Sequence, residues 1–508
     1  MVGQGVETIL ERGVILEPRG ADCVAIDAGR IVALGRQVDM EPLRTASTRT
    51  IDLAYGTLLP GFVDSHTHLL STGLGEIGWE TALSGLSRGE TLARLSQEAQ
   101  SRGKDEWIVG RGWDESLWED RCYLGRQELD FVAPANPLVA VRIDGHLLAA
   151  NTAALKRLPA GIDPASVDLD LGLVWEDAVE TLMRTIQPDG ETRLRALRAA
   201  ATLAHRLGIT SAHAMIRPDE IPLYLRQKGE TRLRVTLYLE ASGLSALATL
   251  GIQSGLGDDW LRIGGVKVFA DGSIGAQNAA LQAPYLGSRR RGALNYTADK
   301  LASLLLLAEE SHLQTAIHAI GDRAIEQVLR AHESIGSSPA LRHRIEHFEL
   351  ATDDQIERAG ELGLQISMQP NFVGNWSGAG RMYQARLGRE RDLQIDRHRR
   401  ILDSGIRLAF GSDSMPLSPL YGLHSAVNAP HPDQRVSIEE AISCYTEAGA
   451  RLSFEEEDKG RIEVGHRADL VVLNGDPRRA TERIMDLEVE MTFVGGEPAY
   501  AREEEPCA

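Results

Sequence analysis

The chain has 508 residues, which is enough for about three domains of ordinary size, although one α/β barrel takes up about 250 residues by itself. Hydrophobic residues make up 43% of the chain and aromatic residues only 5%, which favours an α/β enzyme over an aromatic-rich all-β module. The net charge is −19, and a mainly acidic surface repels the phosphates of nucleic acids. We therefore expect a small-molecule substrate and no nucleic-acid partner.

The sequence carries no sign of export or of a membrane partner. Its longest aliphatic run, Leu304–Leu307, is far shorter than the roughly 20 residues that span a bilayer. The first residues lack the basic and apolar segments of a secretory signal. The cysteines have no paired spacing and lie at Cys23, Cys122, Cys444 and Cys507. We expect a cytoplasmic protein, and a homodimer stays open.

The sequence at both ends of the chain has the pattern of short strands separated by turns. Thr8–Leu16, Cys23–Ile26 and Arg30–Leu34 have this pattern at the start, as do Asp469–Leu473 and Leu487–Val494 near the end. We therefore predict a composite β domain built from residues 1–58 plus 456–508.

Residues 59–455 alternate between short apolar strand candidates and stretches of helical periodicity. This alternation predicts a parallel sheet, and eight candidates predict an α/β fold with a closed (β/α)₈ barrel. The strand candidates are Leu59–Asp64, Ile209–His213, Val235–Glu240, Gly265–Ala270, Thr315–Ala319, Arg344–Phe348, Leu364–Met368 and Arg407–Phe410.

A long gap separates the first and second strand candidates. The gap covers about residues 72–205 and is too long for a structureless loop inside a compact domain. It holds five of the seven tryptophans, at Trp79, Trp107, Trp113, Trp118 and Trp175. We predict an inserted subdomain over the mouth of the barrel, with the role of a substrate-facing lid as a hypothesis.

The pair His66 and His68 ends the first strand candidate. Side chains two residues apart in a strand share a face, so two imidazoles are expected side by side at the C-terminal mouth, where barrel active sites lie. Four more residues of ligand type fall in or just after strands four, five, six and eight. They are Lys267, His318, His347 and Asp413. Each one alone is compatible with an ordinary core or cap residue, but the six together predict a metal centre.

The combined motifs resemble a known family. Besides Leu59-Pro-Gly-Phe-Val-Asp-Ser-His-Thr-His68, they are Gly112-Trp-Asp-Glu-Ser-Leu-Trp118, Arg142-Ile-Asp-Gly-His146 with Asn151, Lys267-Val-Phe-Ala-Asp-Gly-Ser273, His318-Ala-Ile-Gly-Asp322 and Ser367-Met-Gln-Pro370. The set is similar to the amidohydrolase superfamily, and more narrowly to its N-substituted formamide deformylase-like branch, amidohydrolase family 3. The resemblance implies a (β/α)₈ barrel with a small β-sandwich made from both chain ends. It also places His146 near the substrate. Trp113, Asp271 and Gln369 are further candidates for the substrate pocket.

The predicted ligands indicate which metal chemistry to expect. Imidazole and carboxylate ligands suit one or two Zn²⁺ ions, and Mn²⁺ or Fe²⁺ is compatible with the same set. Metal binding lowers the pKa of water from about 15.7 to about 7, so hydroxide becomes available at neutral pH. Asp413 is expected to bind metal, to accept a proton from that water and to pass it to the departing amine.

Lys267 has two interpretations. A protonated amine has no lone pair for a metal, but burial lowers the pKa of a lysine, and a neutral amine adds carbon dioxide to form a carbamate. Such a carbamate bridges two metals in related amidohydrolases, which is the interpretation we favour. The alternative is a lysine paired with Asp271 or another carboxylate beside a single metal.

The predicted function is therefore metal-dependent hydrolysis of a non-peptide C–N bond, of the linear amide or N-substituted formamide type. A cyclic-amide hydrolase and a deaminase of the same superfamily remain alternatives. Against a deaminase, the third residue after His318 is Gly321 rather than a glutamate. A catalytically silent binding or regulatory protein is the alternative from a different class.

Overall fold

The central element of the structure, a computed structural model that describes residues 5–502, is an eight-stranded parallel sheet. Its strands are β1 (Phe62–Thr67), β2 (Ile209–Ile216), β3 (Arg234–Glu240), β4 (Leu261–Phe269), β5 (Gln314–Ala319), β6 (Arg344–His347), β7 (Gln365–Met368) and β8 (Leu408–Phe410). Each strand pairs in parallel with the next one along the chain. The predicted α/β barrel is therefore confirmed.

The sheet curls until its two edge strands, β1 and β8, lie side by side. The backbone N–H of Asp413, just after β8, donates to the carbonyl of His66 in β1 over 2.8 Å. The backbone N–H of Ser412 donates to Oδ1 of Asp64 over 2.9 Å. These contacts nearly close the barrel and bring both ends of the sheet to one site.

The first strand begins later than predicted. Thr57–Pro60 pairs with a strand of a different sheet, and β1 starts only at Phe62. Pro60 has no N–H, and a Cβ on Gly61 would lie 2.4 Å from the side chain of Thr210. The Pro-Gly pair therefore marks the point at which the chain passes from one sheet into the barrel, while the sequence alone shows one continuous apolar run.

Helices surround the barrel. Some of them begin with a side-chain N-cap: Asp189 accepts from the backbone N–H of Thr192, and Thr352 forms a capping box with Gln355. The helices are Leu69–Glu76, Gly190–Arg206, Ile221–Gln227, Leu244–Thr249, Ala298–Glu310, Asp322–Ile335, Asp353–Glu361, Pro370–Trp376, Met382–Leu387, Arg389–Asp392, His398–Asp403, Pro419–Val427, Ile438–Cys444 and Glu447–Leu452. No helix within residues 5–502 is long and apolar enough to cross a membrane.

Strands from both chain ends form two further sheets. One has four strands, Thr8–Glu11, Cys23–Asp27, Arg30–Gly35 and Arg49–Asp52, with the short helix Gln37–Met40 beside it. The other has five strands, Val14–Ile15, Thr57–Pro60, Leu470–Leu473, Val489–Val494 and Glu497–Ala501. One apolar core joins them and includes Leu10, Ile26, Leu58, Val472 and Phe493. Residues 1–4 and 503–508 of the predicted composite domain, with Cys507, lie outside the described residues.

The segment of the chain that connects β1 to β2 forms a mixed six-stranded sheet. Its strands are Thr81–Ala82, Ile108–Trp113, Leu138–Arg142, Leu147–Ala150, Val167–Asp168 and Leu173–Trp175. The helices Arg88–Ser101, Arg126–Val132, Thr152–Leu155 and Asp177–Thr185 accompany it. Alternate residues of the strand Leu138–Arg142 pack into two separate apolar cores, so both faces of this sheet are covered. The helix Gly190–Arg206, at the end of the predicted insertion, packs instead in the barrel core.

Gly73 allows two helices of the barrel to touch. A Cβ at this position would lie 1.9 Å from the carbonyl oxygen of Ala196, where the helices Leu69–Glu76 and Gly190–Arg206 cross. We expect Gly73→Ala to destabilise the protein by about 1–3 kcal/mol, because the helices must move apart. Gly75→Ala is the matched control in the same helix, since a Cβ there meets no atom within 4 Å. The control should be neutral or stabilise by about 0.5–1 kcal/mol. Equal thermal midpoints for the two variants would contradict the close contact.

Candidate metal centre

A cavity of about 1090 Å³ opens at the C-terminal ends of the barrel strands. Its walls come from the barrel and from the inserted sheet, which contributes Arg111, Asp144 and His146 among others. All six residues that the sequence suggested as ligands line it, namely His66, His68, Lys267, His318, His347 and Asp413. The barrel thus brings to one place side chains that are up to 347 positions apart in the sequence, from His66 to Asp413.

Three of these residues form the tightest group. His66, His347 and Asp413 each offer a ligand atom, and these atoms lie within 4.8 Å of one another. His347 and Asp413 have φ values of +69° and +51°, which residues other than glycine rarely adopt. In a regular strand His347 would face away from Glu346 and out of the barrel. The turn in the backbone is what brings its ring to the cavity, and such local strain is typical of functional sites.

The remaining predicted ligands surround this group. Lys267 is fully buried, and its Nζ lies 3.1 Å from Nε2 of His66. His68 is 39% exposed and places Nε2 3.0 Å from Oδ1 of Asp413. The ring of His318 lies 4.5 Å from that of His347. The structure therefore assembles six polar groups around a space that apolar residues fill in an ordinary barrel.

The protonation states fit a metal ion. Burial lowers the pKa of His66, His318 and His347 well below the usual value, and neighbouring positive charges act in the same direction. Neutral imidazoles are the form that binds metal. Burial alone would raise the pKa of Asp413, but His66 and the hydrogen bond from His68 outweigh it and keep the pKa low. Imidazole and carboxylate donors within this distance suit Zn²⁺ or a similar divalent ion.

The surroundings of Lys267 differ from the pairing with Asp271 that the sequence left open. Burial lowers the pKa of Lys267 to about 8. Its amine lies against His66, whereas the carboxylate of Asp271 accepts backbone N–H groups from Ile320, Gly321 and Ala280 at 2.8–3.0 Å. Asp271 thereby holds the loop after β5 in place, and its Oδ1 lies 3.6 Å from Nε2 of His318.

Arg344 and Glu346 form a buried ion pair that the sequence analysis missed, and this pair contacts His66 on the side away from the cavity. Glu346 accepts a hydrogen bond from Nδ1 of His66 over 2.6 Å, and the guanidinium of Arg344 binds both oxygens of Glu346. Both side chains are fully buried. A signal was present, because Arg344 and Glu346 are two apart in a strand and therefore share one face of the sheet. Two opposite charges there predict an ion pair.

The structure distributes the predicted substrate residues over different places. His146 lines the cavity, with its ring 5.1 Å from that of His318 and Nδ1 3.0 Å from Oε2 of Glu176. Burial would lower the pKa of His146, but Glu176 outweighs it and raises the pKa to about 9. Gln369 lies behind the metal centre and accepts from Nδ1 of His347 over 2.7 Å.

Trp113 lies elsewhere than the sequence suggested. It is fully buried in the inserted sheet, stacks on Trp118 with ring centroids 5.7 Å apart, and donates its indole N–H to the carbonyl of Ala140. The next residue, Asp114, does line the cavity and accepts the indole N–H of Trp376 over 2.8 Å. The register of the strand shifts at Gly112, whose φ is +98°, and Asp114 follows the end of the strand, so simple alternation does not fix which side chain faces the cavity.

Comparisons with known proteins agree with this arrangement. Residues 49–500 match the amidohydrolase family. The protein YtcJ of Bacillus subtilis is 29% identical, over 98% of this chain and 99% of its own. The N-substituted formamide deformylase of Arthrobacter pascens is 26% identical over 95% of each chain. An uncharacterised metal-dependent hydrolase from Pyrococcus furiosus superposes with a TM-score of 0.74 at 30% identity, covering 93% of this chain and 99% of that one. With a match of this length on a barrel whose histidines and carboxylate meet at one point, the chain belongs to the amidohydrolase family of metal-dependent hydrolases.

Proposed function

We propose that the protein hydrolyses a non-peptide C–N bond in a linear amide of the N-substituted formamide type. The observation that carries this proposal is the meeting of His66, His347 and Asp413 at the mouth of the barrel, next to the buried amine of Lys267. The similarity to an N-substituted formamide deformylase over 95% of both chains supports the choice of bond.

Different residues of the site have different roles in the proposed reaction. A divalent ion held by His66, His347 and Asp413 would supply a Lewis acid and an acidified water. Asp413 is placed to accept the proton of the attacking water and to return it to the amine as the C–N bond breaks. His68 hydrogen bonds to Asp413 and holds its carboxylate in position. His146 and Glu176, from the segment inserted in the barrel, extend over the same cavity and are placed to orient the substrate.

Lys267 is proposed to react with carbon dioxide, and the carbamate formed would be an oxygen ligand able to hold two divalent ions. Its Nζ lies 3.1 Å from the ring nitrogen of His66 that is free to bind metal, because the other ring nitrogen is bonded to Glu346. The neutral amine forms one N–C bond, one C=O π bond of carbon dioxide gives its electron pair to oxygen, and one proton leaves the nitrogen. The carbamate then places two oxygens where the amine alone offers one donor.

Removal of the metal should abolish activity. We expect hydrolysis of an N-alkylformamide, followed as amine release, to stop after chelation and to return with Zn²⁺ or Mn²⁺. Asp413→Asn should lower kcat by about 10²–10⁴-fold, because the proton acceptor is lost. Asp177→Asn, which changes another carboxylate of the cavity wall, should stay close to wild type. Full activity in metal-free protein, or in Asp413→Asn, would contradict the mechanism.

Glu346→Gln should weaken metal binding about 10–100-fold, because the partner that orients His66 loses its charge. The measurement is a competition titration with a chromophoric chelator, with the thermal midpoint recorded in parallel. Glu455→Gln is the matched control, since Glu455 is also buried and paired, with Lys459, but contacts none of the ligands. Equal affinity of Glu346→Gln and wild type would show that Glu346 only supports the fold.

Lys267→Ala should lower the metal content from two ions to one per chain, measured by elemental analysis of protein dialysed against metal-free buffer. Lys459→Ala removes a second buried lysine, which binds Glu455 and Ser211, and should keep the wild-type metal content. Unchanged stoichiometry and activity in Lys267→Ala would rule out a bridging carbamate.

A further inference from the structure

A small side chamber of about 20 Å³ opens from the main cavity. The chamber and the cavity share six lining residues: Asp144, His146, His318, His347, Asp413 and Met415. A group in the chamber therefore lies next to the metal centre. The volume has room for about one water-sized group.

Glu349 contributes a buried carboxylate to the wall of the chamber. Its side chain is only 3% exposed, and its Oε2 has no hydrogen-bond partner among residues 5–502. The hydroxyl of Tyr383 lies beside Glu349 without meeting the geometry of a hydrogen bond, and it has no other partner in that range. A buried polar group without a partner costs about 1–3 kcal/mol, and a charged group costs more. Both groups line the chamber, so a ligand there is able to satisfy them.

The two cationic side chains that line the chamber with Glu349, Arg142 and His146, are both paired with other carboxylates, and His146 lies 3.0 Å from Oε2 of Glu176. The guanidinium of Arg142 binds both oxygens of Glu115 at 2.8 and 3.1 Å and Asp144 at 2.6 Å. Asp396, whose backbone N–H donates to the carbonyl of Glu349, adds another buried carboxyl.

The main cavity has the same sign of charge. Nine carboxylates line it, against four lysine and arginine side chains. The carboxylates are Glu76, Glu80, Asp114, Asp144, Glu176, Asp177, Glu180, Glu240 and Asp413, and the cations are Arg111, Arg217, Lys267 and Arg381. The protonated His146 and the divalent ions proposed at the metal centre offset part of this charge, and the remaining carboxylates favour a cation over an anion in the cavity.

Aromatic rings form another part of the chamber wall. The rings of Phe372 and Trp376 lie 4.9 Å apart, and those of Trp376 and Tyr383 lie 6.1 Å apart. Trp376 is held in place by the hydrogen bond from its indole N–H to Asp114. Aromatic faces attract a desolvated cation by up to about 2 kcal/mol. A carboxylate and three rings around a water-sized space match an ammonium group better than a neutral or anionic one.

We infer that this chamber binds a primary ammonium group of the substrate, with Glu349 as its counter-ion. The inference rests on the proposed hydrolysis of a linear amide and narrows its substrate to one with a protonated amine a few bonds from the scissile C–N bond. The volume selects a primary ammonium group over a trimethylammonium group, which is several times larger.

Two matched substrates test the inference. N-(3-aminopropyl)formamide and N-butylformamide have the same chain length and differ in an ammonium against a methyl group. We expect kcat/KM of the wild type to favour the ammonium substrate at least tenfold. Glu349→Gln, which keeps the shape of the side chain, should bring this ratio close to one. Glu76→Gln, at the wall of the main cavity only, should retain the preference. No preference in the wild type, or an unchanged preference in Glu349→Gln, would overturn the inference.

A binding measurement separates the inference from the proposed function. Calorimetry on the metal-loaded protein compares propylammonium with 1-propanol and with propyltrimethylammonium. Binding of propylammonium alone, weakened at least tenfold in Glu349→Gln, supports the chamber even if neither formamide is hydrolysed, in which case only the proposed reaction fails. Equal binding of propylammonium and 1-propanol, or no binding of either, would mean that the chamber holds only water, and the inference would be wrong.

Discussion

The hydrogen bond between Nδ1 of His66 and the carboxylate of Glu346 is the interaction that fixes the arrangement of the candidate metal centre. It joins β1 to β6 across the barrel and leaves only Nε2 of His66 facing the cavity. Arg344 fixes Glu346 in turn, donates to the carbonyl of Ser65 over 2.6 Å, and lies 3.0 Å from Nδ1 of His213. A ligand held in this way enters metal binding with its tautomer and orientation already set.

This buried network stabilises the fold only while each of its charged groups keeps its partner. Breaking a buried ion pair by removing one partner costs about 3–5 kcal/mol, because the other charge stays buried without compensation. The ring of Tyr238 lies over Arg344 at 4.8 Å, and the Tyr238 hydroxyl donates to Gln314 over 2.5 Å, so neighbouring strands share in satisfying the charges. The polar interior therefore requires all strands to be in register. A shift of one residue in β6 would turn Arg344 and Glu346 outward.

The sequence was sufficient to predict the barrel, because each strand is a short apolar run and most of the stretches between strands have helical periodicity. The six ligand-type residues were also visible, since a polar side chain at the end of an apolar strand stands out. Periodicity did not show that β1 begins after Pro60, because both sides of the Pro-Gly pair are apolar. It also did not show the direction of Trp113, because the register of its strand shifts where it pairs with its neighbour in the inserted sheet. His347 reaches the cavity only because its φ is positive, and a histidine at that position gives no indication of a positive φ.

Glu349 shows why the chemistry of the pocket lies beyond local pattern. It follows His347 by two residues, and by sequence it is one more acidic residue after a strand. Its character comes from residues far away in the chain: Tyr383 and Trp376 form the wall around it, and Arg142, which lines the same chamber, is already engaged by Glu115 and Asp144. Binding of a cation there would replace the missing partner without disturbing the ion pair below the metal centre. The barrel therefore carries the ligand-type residues, while the proposed specificity depends on side chains that distant segments bring to the same cavity.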